Sequence, residues 1–279
     1  MPVSADPWRS SILPAVFRQR GNRGRLREEN RRLQAGLDRI TRQRDAALAV
    51  TQPDGSGPAE FLFIVTYGRS GSTLLMGLLN ALPGFCIRGE NQGVLYDLFQ
   101  FHAKAVQARG KQGESGPLLP RHPWYGIDGY PAELAAVRIR QLVIDTLLRP
   151  EPGTRVAGFK EIRWWAPQPV EFLDFIEAVF PGARFLLNTR NLDDVANSAW
   201  FRNEAGVRER LEPLEQRLRD AVGRRGDRGY HVHYDDYVAD HSVLRPMFEW
   251  LGEKYDPDQV AEVFSVEHSY ANRRKVGKP

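Results

Sequence analysis

A short glycine-bearing loop between an apolar run and a leucine-rich segment is the stretch of the sequence best suited to chemistry. Residues 61–66 (FLFIVT) form an unbroken apolar run with β-branched side chains, which is typical of a buried parallel strand. Leucines then recur at helical spacing over Ser72–Leu82. A strand, a short glycine loop and a helix start in this order direct backbone N–H groups at an anion. The sequence therefore predicts a phosphate or sulfate site here; the alternative is a turn that only caps the helix.

The loop departs from the nucleoside-triphosphate P-loop, whose pattern is G-x-x-x-x-G-K-[ST]. When the two are aligned on Gly71, Thr66 replaces the first glycine and Ser72 replaces the lysine. Because that lysine contacts the β- and γ-phosphates, its loss argues against ordinary ATP or GTP chemistry. The loop instead carries Arg69, whose guanidinium can bind a phosphate or sulfate through two hydrogen bonds. Three hydroxyl side chains accompany it: Ser70, Ser72 and Thr73.

A second apolar segment also ends in an arginine. Residues 185–189 (FLLNT) are followed by Arg190, and Ser198 comes eight residues later. We predict a helix over Leu192–Asn203 with Asp193 as its N-cap, which would place the Ser198 hydroxyl early in the helix. Arginine and hydroxyl could then bind one dianion together. The alternative is a surface arginine in front of a capped helix.

These two segments together resemble the sulfotransferases that use 3′-phosphoadenosine 5′-phosphosulfate (PAPS). The family signature x-x-R-S-G-[ST]-[ST] matches residues 67–73 (YGRSGST), and in that family this loop holds the 5′-phosphosulfate. The resemblance implies that Arg190 and Ser198 bind the 3′-phosphate of the donor. It also implies that Tyr234, which matches the tyrosine of the family's Y-E-D-L segment, lies near the adenine. The resemblance covers roughly residues 60–278.

The resemblance extends to the basic C-terminal tail, which is similar to the glycine-containing basic loop that folds over the donor in this family. PAPS is thus the expected co-substrate, and no metal cluster is visible in the sequence or required. The donor-binding residues implied by the resemblance are Arg69, Ser70, Gly71, Ser72, Thr73, Arg190, Ser198, Tyr234, Arg273, Arg274 and Lys275.

Glu90 is the candidate base for the transfer. It lies 21 residues after Arg69, where glycan and tyrosylprotein sulfotransferases carry a glutamate base, so the chain resembles that type more than the small-phenol type. A positioned base contributes about 10²–10⁴-fold to the rate, and we expect Arg88 to keep the carboxylate ionised. The alternative is an exposed loop glutamate. Relatives that act on phenols use a histidine, but we interpret His102 as a helix-surface residue.

Lys160 is the second catalytic candidate. It ends the predicted strand RVAGFK, at a position where family members carry a lysine. The resemblance implies that Lys160 donates to the departing phosphate oxygen or to the sulfuryl group. Transfer is expected to be in-line, with Arg69 also offsetting the charge that develops. The alternative is a lysine that only forms a salt bridge with Glu161 or Glu171.

Strand-like runs that alternate with helical patterns predict an α/β fold. We expect a parallel central sheet with helices on both faces, in a P-loop-like, nucleotide-kinase-like three-layer domain. Residues 112–128, rich in glycine and proline, are expected to form irregular surface or a lid. The predicted strands are 61–66, 156–159, 183–189 and 230–233, and the predicted helices are Ser72–Leu82, Leu134–Leu148, Val170–Val179, Leu192–Asn203, Glu209–Val222 and Ser242–Leu251.

Composition restricts the class of protein. The 279 residues, 42% of them hydrophobic, suffice for one sizeable core and an appendage. The single cysteine, Cys86, excludes an intramolecular disulfide framework and a multi-cysteine zinc site. No uncharged apolar run approaches the ~20 residues of a membrane span, and the N-terminus lacks a signal-peptide pattern. We therefore expect a soluble, cytoplasmic protein.

Positive charge is concentrated at the two ends of the chain. Between Arg18 and Asp45 there are ten arginines and four carboxylates. The positive net charge of this segment is larger than the +4 of the whole chain. The body is therefore mildly acidic, so we do not expect a nucleic-acid surface. A heptad pattern of Leu26, Leu33, Ile40 and Ala47 suggests either a short dimerising coiled coil or a solvated single helix. We divide the chain into residues 1–59, this helix and a Pro/Gly/Ser linker, and residues 60–279, the sulfotransferase domain.

Two other functions remain open from the sequence: a P-loop kinase or NTPase with a degenerate loop, and a coiled-coil interaction protein that binds nucleotide passively.

The sequence indicates the acceptor less clearly than the donor. Aromatic side chains with scattered cations suit a carbohydrate or glycolipid, although the same aromatics could belong to the core. These aromatics are Tyr96, Phe99, Phe101, Trp124, Tyr125 and Tyr130.

Overall fold

The structure is a computed structural model that describes residues 31–32, 58–114, 116–164 and 169–265. The chain divides into two units, residues 1–50 and 51–279. In the first unit only Arg31 and Arg32 are described, and both are helical. The predicted coiled coil, most of the predicted linker and the basic tail with Arg273, Arg274 and Lys275 lie outside the described residues.

Five parallel strands form one sheet in the described part of the second unit, in the order β2-β3-β1-β4-β5. Parallel neighbours require crossover connections, and the intervening helices supply them. The central strand β1 is buried on both faces over residues 61–65, as its apolar run predicted. The strands are β1 (Glu60–Val65), β2 (Phe85–Arg88), β3 (Val156–Glu161), β4 (Arg184–Thr189) and β5 (Gly229–His233).

Helices cover both faces of this sheet. Alternate residues of β1 point to opposite sides, so Phe63 and Leu62 belong to two different hydrophobic cores. The predicted α/β fold with a parallel, helix-flanked sheet is confirmed. The helices are α1 (Ser72–Asn80), α2 (Val94–Gly113), α3 (Ala132–Val143), α4 (Pro169–Val179), α5 (Leu192–Ala196), α6 (Val207–Gly223), α7 (Tyr234–Ala239), α8 (Arg245–Leu251) and α9 (Pro257–Ser265).

Four elements of the domain were not predicted from the sequence: β2, α2, α7 and α9. Strand β2 and helices α7 and α9 are short, with four, six and nine residues, and helix α2 is polar over most of its length. Of the 20 residues of α2, only Leu95 and Phe99 are fully buried. The irregular segment predicted over residues 112–128 is shorter than expected, because α2 includes its start and a 3₁₀ turn at Ile127–Gly129 includes its end.

The predicted helix over Leu192–Asn203 is wrong in length and in its cap. Helix α5 ends at Ala196: the Asn197 amide still bonds four residues back, to Asp193, but the Ser198 amide bonds only three residues back, to Val195. The N-cap is Asn191, not Asp193. The Asn191 side chain directly follows the strand and accepts hydrogen bonds from the amides of residues 193 and 194, at 2.9 and 3.3 Å, as an N-cap does. Ser198 therefore lies in the turn after α5.

Candidate active site

The residues predicted to do chemistry lie at or just after the carboxyl ends of the five described strands, and Glu90 follows β2. Chain connections leave β1 toward β2 and β3 on one side and reach β4 and β5 on the other. In open α/β sheets, ligands bind at such a point of reversal, outside the carboxyl ends of the strands. The loop with Arg69 follows β1, Lys160 lies at the end of β3, Arg190 follows β4 and Tyr234 follows β5.

Hydrogen bonds fix the loop after β1 to β4. The buried Thr66 hydroxyl donates to the Asn188 carbonyl oxygen at 2.7 Å and lies 2.6 Å from the Ser70 hydroxyl. The Asn188 side chain donates to the Ser70 carbonyl oxygen at 2.8 Å and accepts from the Tyr237 hydroxyl at 2.9 Å. Thr66, which replaces the first P-loop glycine, thus has a structural role of its own.

The loop backbone is shaped to present N–H groups at the start of α1. Arg69 and Gly71 both adopt left-handed conformations, with φ of 66° and 80°. Gly71 is the N-cap of α1, and none of the described side chains caps this helix. The Ser72 and Thr73 amides are in the first turn of α1, where N–H groups have no partner within the helix. The loop and helix start therefore have the backbone arrangement that can bind an anion, and anion binding here stays a prediction.

Tyr234 packs between this loop and Arg190. A Cβ atom at Gly71 would lie 2.0 Å from a ring carbon of Tyr234, so only glycine fits at this position. The centre of the Tyr234 ring also lies 4.7 Å from the central carbon of the Arg190 guanidinium. Arg190 also donates to the carbonyl oxygen of Arg69 at 3.3 Å. The structure thus brings four of the predicted donor-binding residues together; contact of Tyr234 with adenine stays a prediction.

Three buried polar atoms of the predicted donor site have no hydrogen-bond partner: Arg69 Nε, Arg190 Nε and Ser198 Oγ. The nearest ionic group to Arg190 Nε, a carboxylate oxygen of Asp235, is 3.8 Å away. Buried polar groups are normally hydrogen-bonded. Unpaired donors on these three residues fit a ligand that carries anionic groups at two positions, such as PAPS.

Glu90 and Lys160 form an ion pair. The Lys160 ammonium, with 5% of its side chain exposed, donates to Glu90 Oε1 at 2.6 Å. The Glu90 side chain is 36% exposed, so its carboxylate also faces solvent. The structure does not support the alternative in which Lys160 pairs with Glu161 or Glu171.

Arg163, not Arg88, is the arginine beside Glu90. The Arg163 guanidinium lies 3.6 Å from Glu90 Oε2. Arg88 instead donates to the carbonyl oxygens of Leu148 and Arg149, at 2.7 and 2.6 Å. The expectation that Arg88 holds Glu90 ionised is therefore wrong, because the Arg88 side chain binds the end of the helical segment Ile144–Leu148, which precedes β3.

The histidine considered as an alternative base is half-buried on α2. His102 Nδ1 lies 3.0 Å from the Tyr130 hydroxyl, and its ring packs against Phe175. Burial lowers the pKa of His102 below its ordinary value. It has its own structural contacts, and it is not part of the Glu90–Lys160 pair.

Residues 62–257 match the sequence model of one protein family, described as the sulfotransferase family. The chain belongs to this family. It is therefore a sulfotransferase family enzyme, PAPS-dependent by family. A comparison with curated protein sequences found no match.

Solved sulfotransferase structures are among those similar to this one. The sulfotransferase domain of the Synechococcus PCC 7002 olefin synthase is 20% identical over 82% of this chain and 84% of that chain, with a TM-score of 0.48. Sulfotransferase STF1 of Mycobacterium tuberculosis H37Rv is 15% identical over 83% and 77% of the two chains, with a TM-score of 0.40. Retinol dehydratase, solved with androsterone and the inactive cofactor PAP, is 15% identical over 78% and 68%, with a TM-score of 0.35.

Tyr67 makes contacts within the predicted donor site that sequence reasoning missed. Its hydroxyl donates to Glu215 Oε2 at 2.5 Å and accepts from the Arg190 amide at 2.9 Å. Burial, followed by the hydrogen bond to Glu215, raises the pKa of Tyr67 above its ordinary value. Tyr67 thus connects the loop after β1 to the backbone of Arg190. An aromatic residue at a variable position of the signature gave no signal of this role.

The described residues contain no cluster of three or more His, Cys, Asp or Glu side chains placed to hold a metal ion. None of the helices in the described ranges is long and apolar enough to cross a membrane.

Proposed function

We propose that this sulfotransferase moves the sulfuryl group of PAPS to a hydroxyl group of its acceptor, with Glu90 as the base. The observation that supports this most directly is the set of unpaired buried donors on Arg69, Arg190 and Ser198. They belong to the residues that the family resemblance relates to the two phosphate-bearing ends of the donor. The Glu90–Lys160 pair lies at the carboxyl end of the neighbouring strand β3.

The donor would be held from two sides. The loop amides at the start of α1 and the Arg69 guanidinium would bind the 5′-phosphosulfate, while Arg190 and Ser198 would bind the 3′-phosphate. When bound, PAPS supplies an activated sulfuryl group whose bond to the 5′-phosphate breaks in the transfer. Positive groups fixed beside the leaving phosphate stabilise the charge that develops there. Arg69 would act in this way from the loop after β1, where its backbone is left-handed with φ 66°.

Glu90 would accept the proton of the acceptor hydroxyl. One carboxylate oxygen is bound to Lys160, and the other lies 3.6 Å from Arg163. These two contacts would orient the carboxylate toward the acceptor hydroxyl, whose proton a general base must reach directly. Lys160 would then have two roles: it would orient Glu90, and it would add positive charge close to the sulfuryl group.

A carbohydrate or glycolipid acceptor is the substrate class that we propose. Tyr96 and Phe99 belong to the core, but other aromatics are exposed. Trp200 is 55% exposed and lies 3.4 Å from the position of a Cβ at Gly68, in the donor loop. An exposed aromatic face next to the donor loop can pack against the apolar face of a sugar ring. Trp124 and Tyr125, both exposed, offer further aromatic surface.

Calorimetric titration tests the donor assignment. We expect 3′,5′-adenosine bisphosphate to bind in the absence of metal, and ATP with Mg²⁺ to bind weakly or not at all. Tight binding of ATP–Mg²⁺ without binding of the bisphosphate would instead indicate a kinase or NTPase. A screen of cell extracts with radiolabelled PAPS would then identify the acceptor, and label in a phenol instead of a sugar would contradict the proposed substrate class.

Several sequence predictions accompany this proposal. The division into residues 1–59 and 60–279, donor binding by the basic tail and a homodimer through the N-terminal helix all stay predictions. A cytoplasmic location and the absence of a nucleic-acid partner also stay predictions. Light scattering with and without residues 1–55 tests the dimer.

A further inference from the structure

Glu161 is a buried carboxylate that the proposed mechanism does not use. It is the last residue of β3, directly after Lys160, and its side chain is only 5% exposed. A buried charge is costly unless hydrogen bonds and a counter-charge compensate it. The contacts that Glu161 makes therefore point to what it does.

The two carboxylate oxygens of Glu161 bind two different chain segments. Oε2 accepts hydrogen bonds from the Asn91 amide at 3.0 Å and the Gly93 amide at 2.9 Å. Oε1 accepts from the amides of Ile162 and Arg163, at 2.8 and 3.1 Å. The carboxylate thus joins the end of β3 to the loop that immediately follows Glu90.

That loop is not held in place by regular secondary structure. Residues 89–93 connect β2 to α2, and both Gln92 and Gly93 adopt left-handed conformations, with φ of 64° and 76°. A non-glycine residue in this region is disfavoured unless its surroundings impose it. The Glu161 carboxylate supplies two of the hydrogen bonds that impose it, on either side of Gln92.

Arg163 is shared between Glu161 and Glu90. Its Nη1 atom lies 3.4 Å from Glu161 Oε1 and 3.6 Å from Glu90 Oε2. Glu161 therefore competes with Glu90 for the Arg163 guanidinium. The same side chain fixes the backbone beside the candidate base and limits how strongly one of its oxygens is paired.

We propose that Glu161 is a positioning residue, a carboxylate clamp that holds Glu90 against Lys160 and keeps one oxygen of Glu90 available for the acceptor. This rests on the proposed function for its catalytic consequence, but the clamp itself can be measured without turnover. Glu161 would thus act through Glu90, without touching donor or acceptor.

Hydrogen exchange of the folded full chain tests the clamp. Glu161→Gln keeps the shape of the side chain but turns one acceptor oxygen into an NH₂ group, which cannot accept from the amides on its side. We expect the amides on one side of the side chain, those of Asn91 and Gly93 or those of Ile162 and Arg163, to exchange about 10-fold faster or more in this variant. The matched control is Glu177→Gln in α4, which removes a carboxylate that pairs with Arg225 and Arg228. Unchanged exchange at all four amides would overturn the clamp.

The catalytic consequence is tested with PAPS alone, by following its slow hydrolysis to 3′,5′-adenosine bisphosphate and sulfate. Water replaces the acceptor hydroxyl: its oxygen bonds to sulfur, the bond to the 5′-phosphate breaks and Glu90 takes the proton. We expect Glu161→Gln to slow hydrolysis about 10-fold, which is a part of the 10²–10⁴-fold that a positioned base contributes in total. Bisphosphate affinity and the Glu177→Gln rate should stay near wild type.

A double-variant cycle separates positioning from general damage. If Glu161 acts through Glu90, Glu161→Gln should change the hydrolysis rate less than about 2-fold in a Glu90→Gln background. An equal loss in both backgrounds, or no loss in the wild type, would overturn the positioning role. Failure of the bisphosphate to bind any variant, wild type included, would contradict the proposed function instead, and the exchange measurement would still decide the clamp.

Discussion

Replacing Gly71 by alanine tests whether the donor loop, Tyr234 and Arg190 form one unit. The alanine backbone would have to keep a φ of +80°, and its Cβ would lie 2.0 and 2.2 Å from two carbons of the Tyr234 ring. Carbon atoms pack at about 3.5–4.0 Å, so the ring has to move by roughly 1.5 Å. Since the ring also stacks on Arg190 at 4.7 Å, the displacement should reach the site predicted for the 3′-phosphate.

Two costs add in the Gly71→Ala variant. The left-handed conformation costs about 1–2 kcal/mol for a residue with a Cβ, and this lowers the free energy of unfolding. Loss of the ring contact with Arg190 costs about 0.5–2 kcal/mol. If that contact orients the guanidinium for the phosphate, the affinity for 3′,5′-adenosine bisphosphate falls about 2- to 30-fold, since each 1.4 kcal/mol is tenfold.

Urea unfolding and calorimetric titration of the bisphosphate measure the two costs separately. Gly110→Ala is the matched control, because no atom lies within 4 Å of its Cβ position and it is inside α2. It should leave affinity unchanged and stability equal or higher. A Gly71→Ala/Tyr234→Ala double variant should recover stability in part, since the ring that collides is gone. Wild-type stability and affinity in Gly71→Ala would refute the reasoning.

Three further predictions concern the same region. Arg190→Ala should weaken bisphosphate binding in calorimetry by about 1.5–3 kcal/mol, the range for charged hydrogen bonds; an unchanged affinity would remove Arg190 from the donor site. Tyr67→Phe should lower the free energy of unfolding in urea by about 1–3 kcal/mol, because Glu215 and the Arg190 amide lose a buried partner; a value equal to wild type would contradict the assigned contacts. Burial and then Arg219 lower the pKa of His231 to about 4, so the unfolded chain takes up the proton first as the pH falls. Stability should therefore decrease between about pH 6.5 and 4, by on the order of 1 kcal/mol for this half-exposed ring, and His231→Asn should lose less over the same range.

The sequence was informative where the boundaries of apolar runs mark the ends of strands. Buried parallel strands are apolar almost throughout, so the first charged side chain after each run lies at the carboxyl edge of the sheet. Arg69 and Arg190 were found in this way, and so was Lys160. The structure confirms the α/β fold and places these three at the ends of β1, β4 and β3.

The partners of these side chains could not be predicted in the same way. Arg88 is two residues from Glu90 in the chain, yet Arg163, which follows β3, lies beside the carboxylate. Contacts between segments about 70 residues apart depend on the strand order, which the sequence leaves open. Glu161 could be mistaken for an exposed strand end, since nothing in the sequence shows that four amides converge on it. One usable signal was Asn188, a polar residue inside an apolar strand, which is costly there unless it is fully hydrogen-bonded.

Hydrogen bonds from Thr66 and Tyr67 set the spacing of the two predicted anion sites before any ligand arrives. Thr66 donates to the carbonyl oxygen of Asn188, and Tyr67 accepts from the Arg190 amide, so the loop after β1 cannot shift relative to the end of β4 without breaking both. A ligand with anionic groups at a matching spacing would meet a preorganised pair, and it would lose little additional entropy when the second group binds. A nucleotide with a single phosphate gains from only one of the two. The selectivity of this sulfotransferase for a doubly anionic donor would therefore come from two loops held at a fixed distance, and the net charge of +4 of the chain contributes little to it.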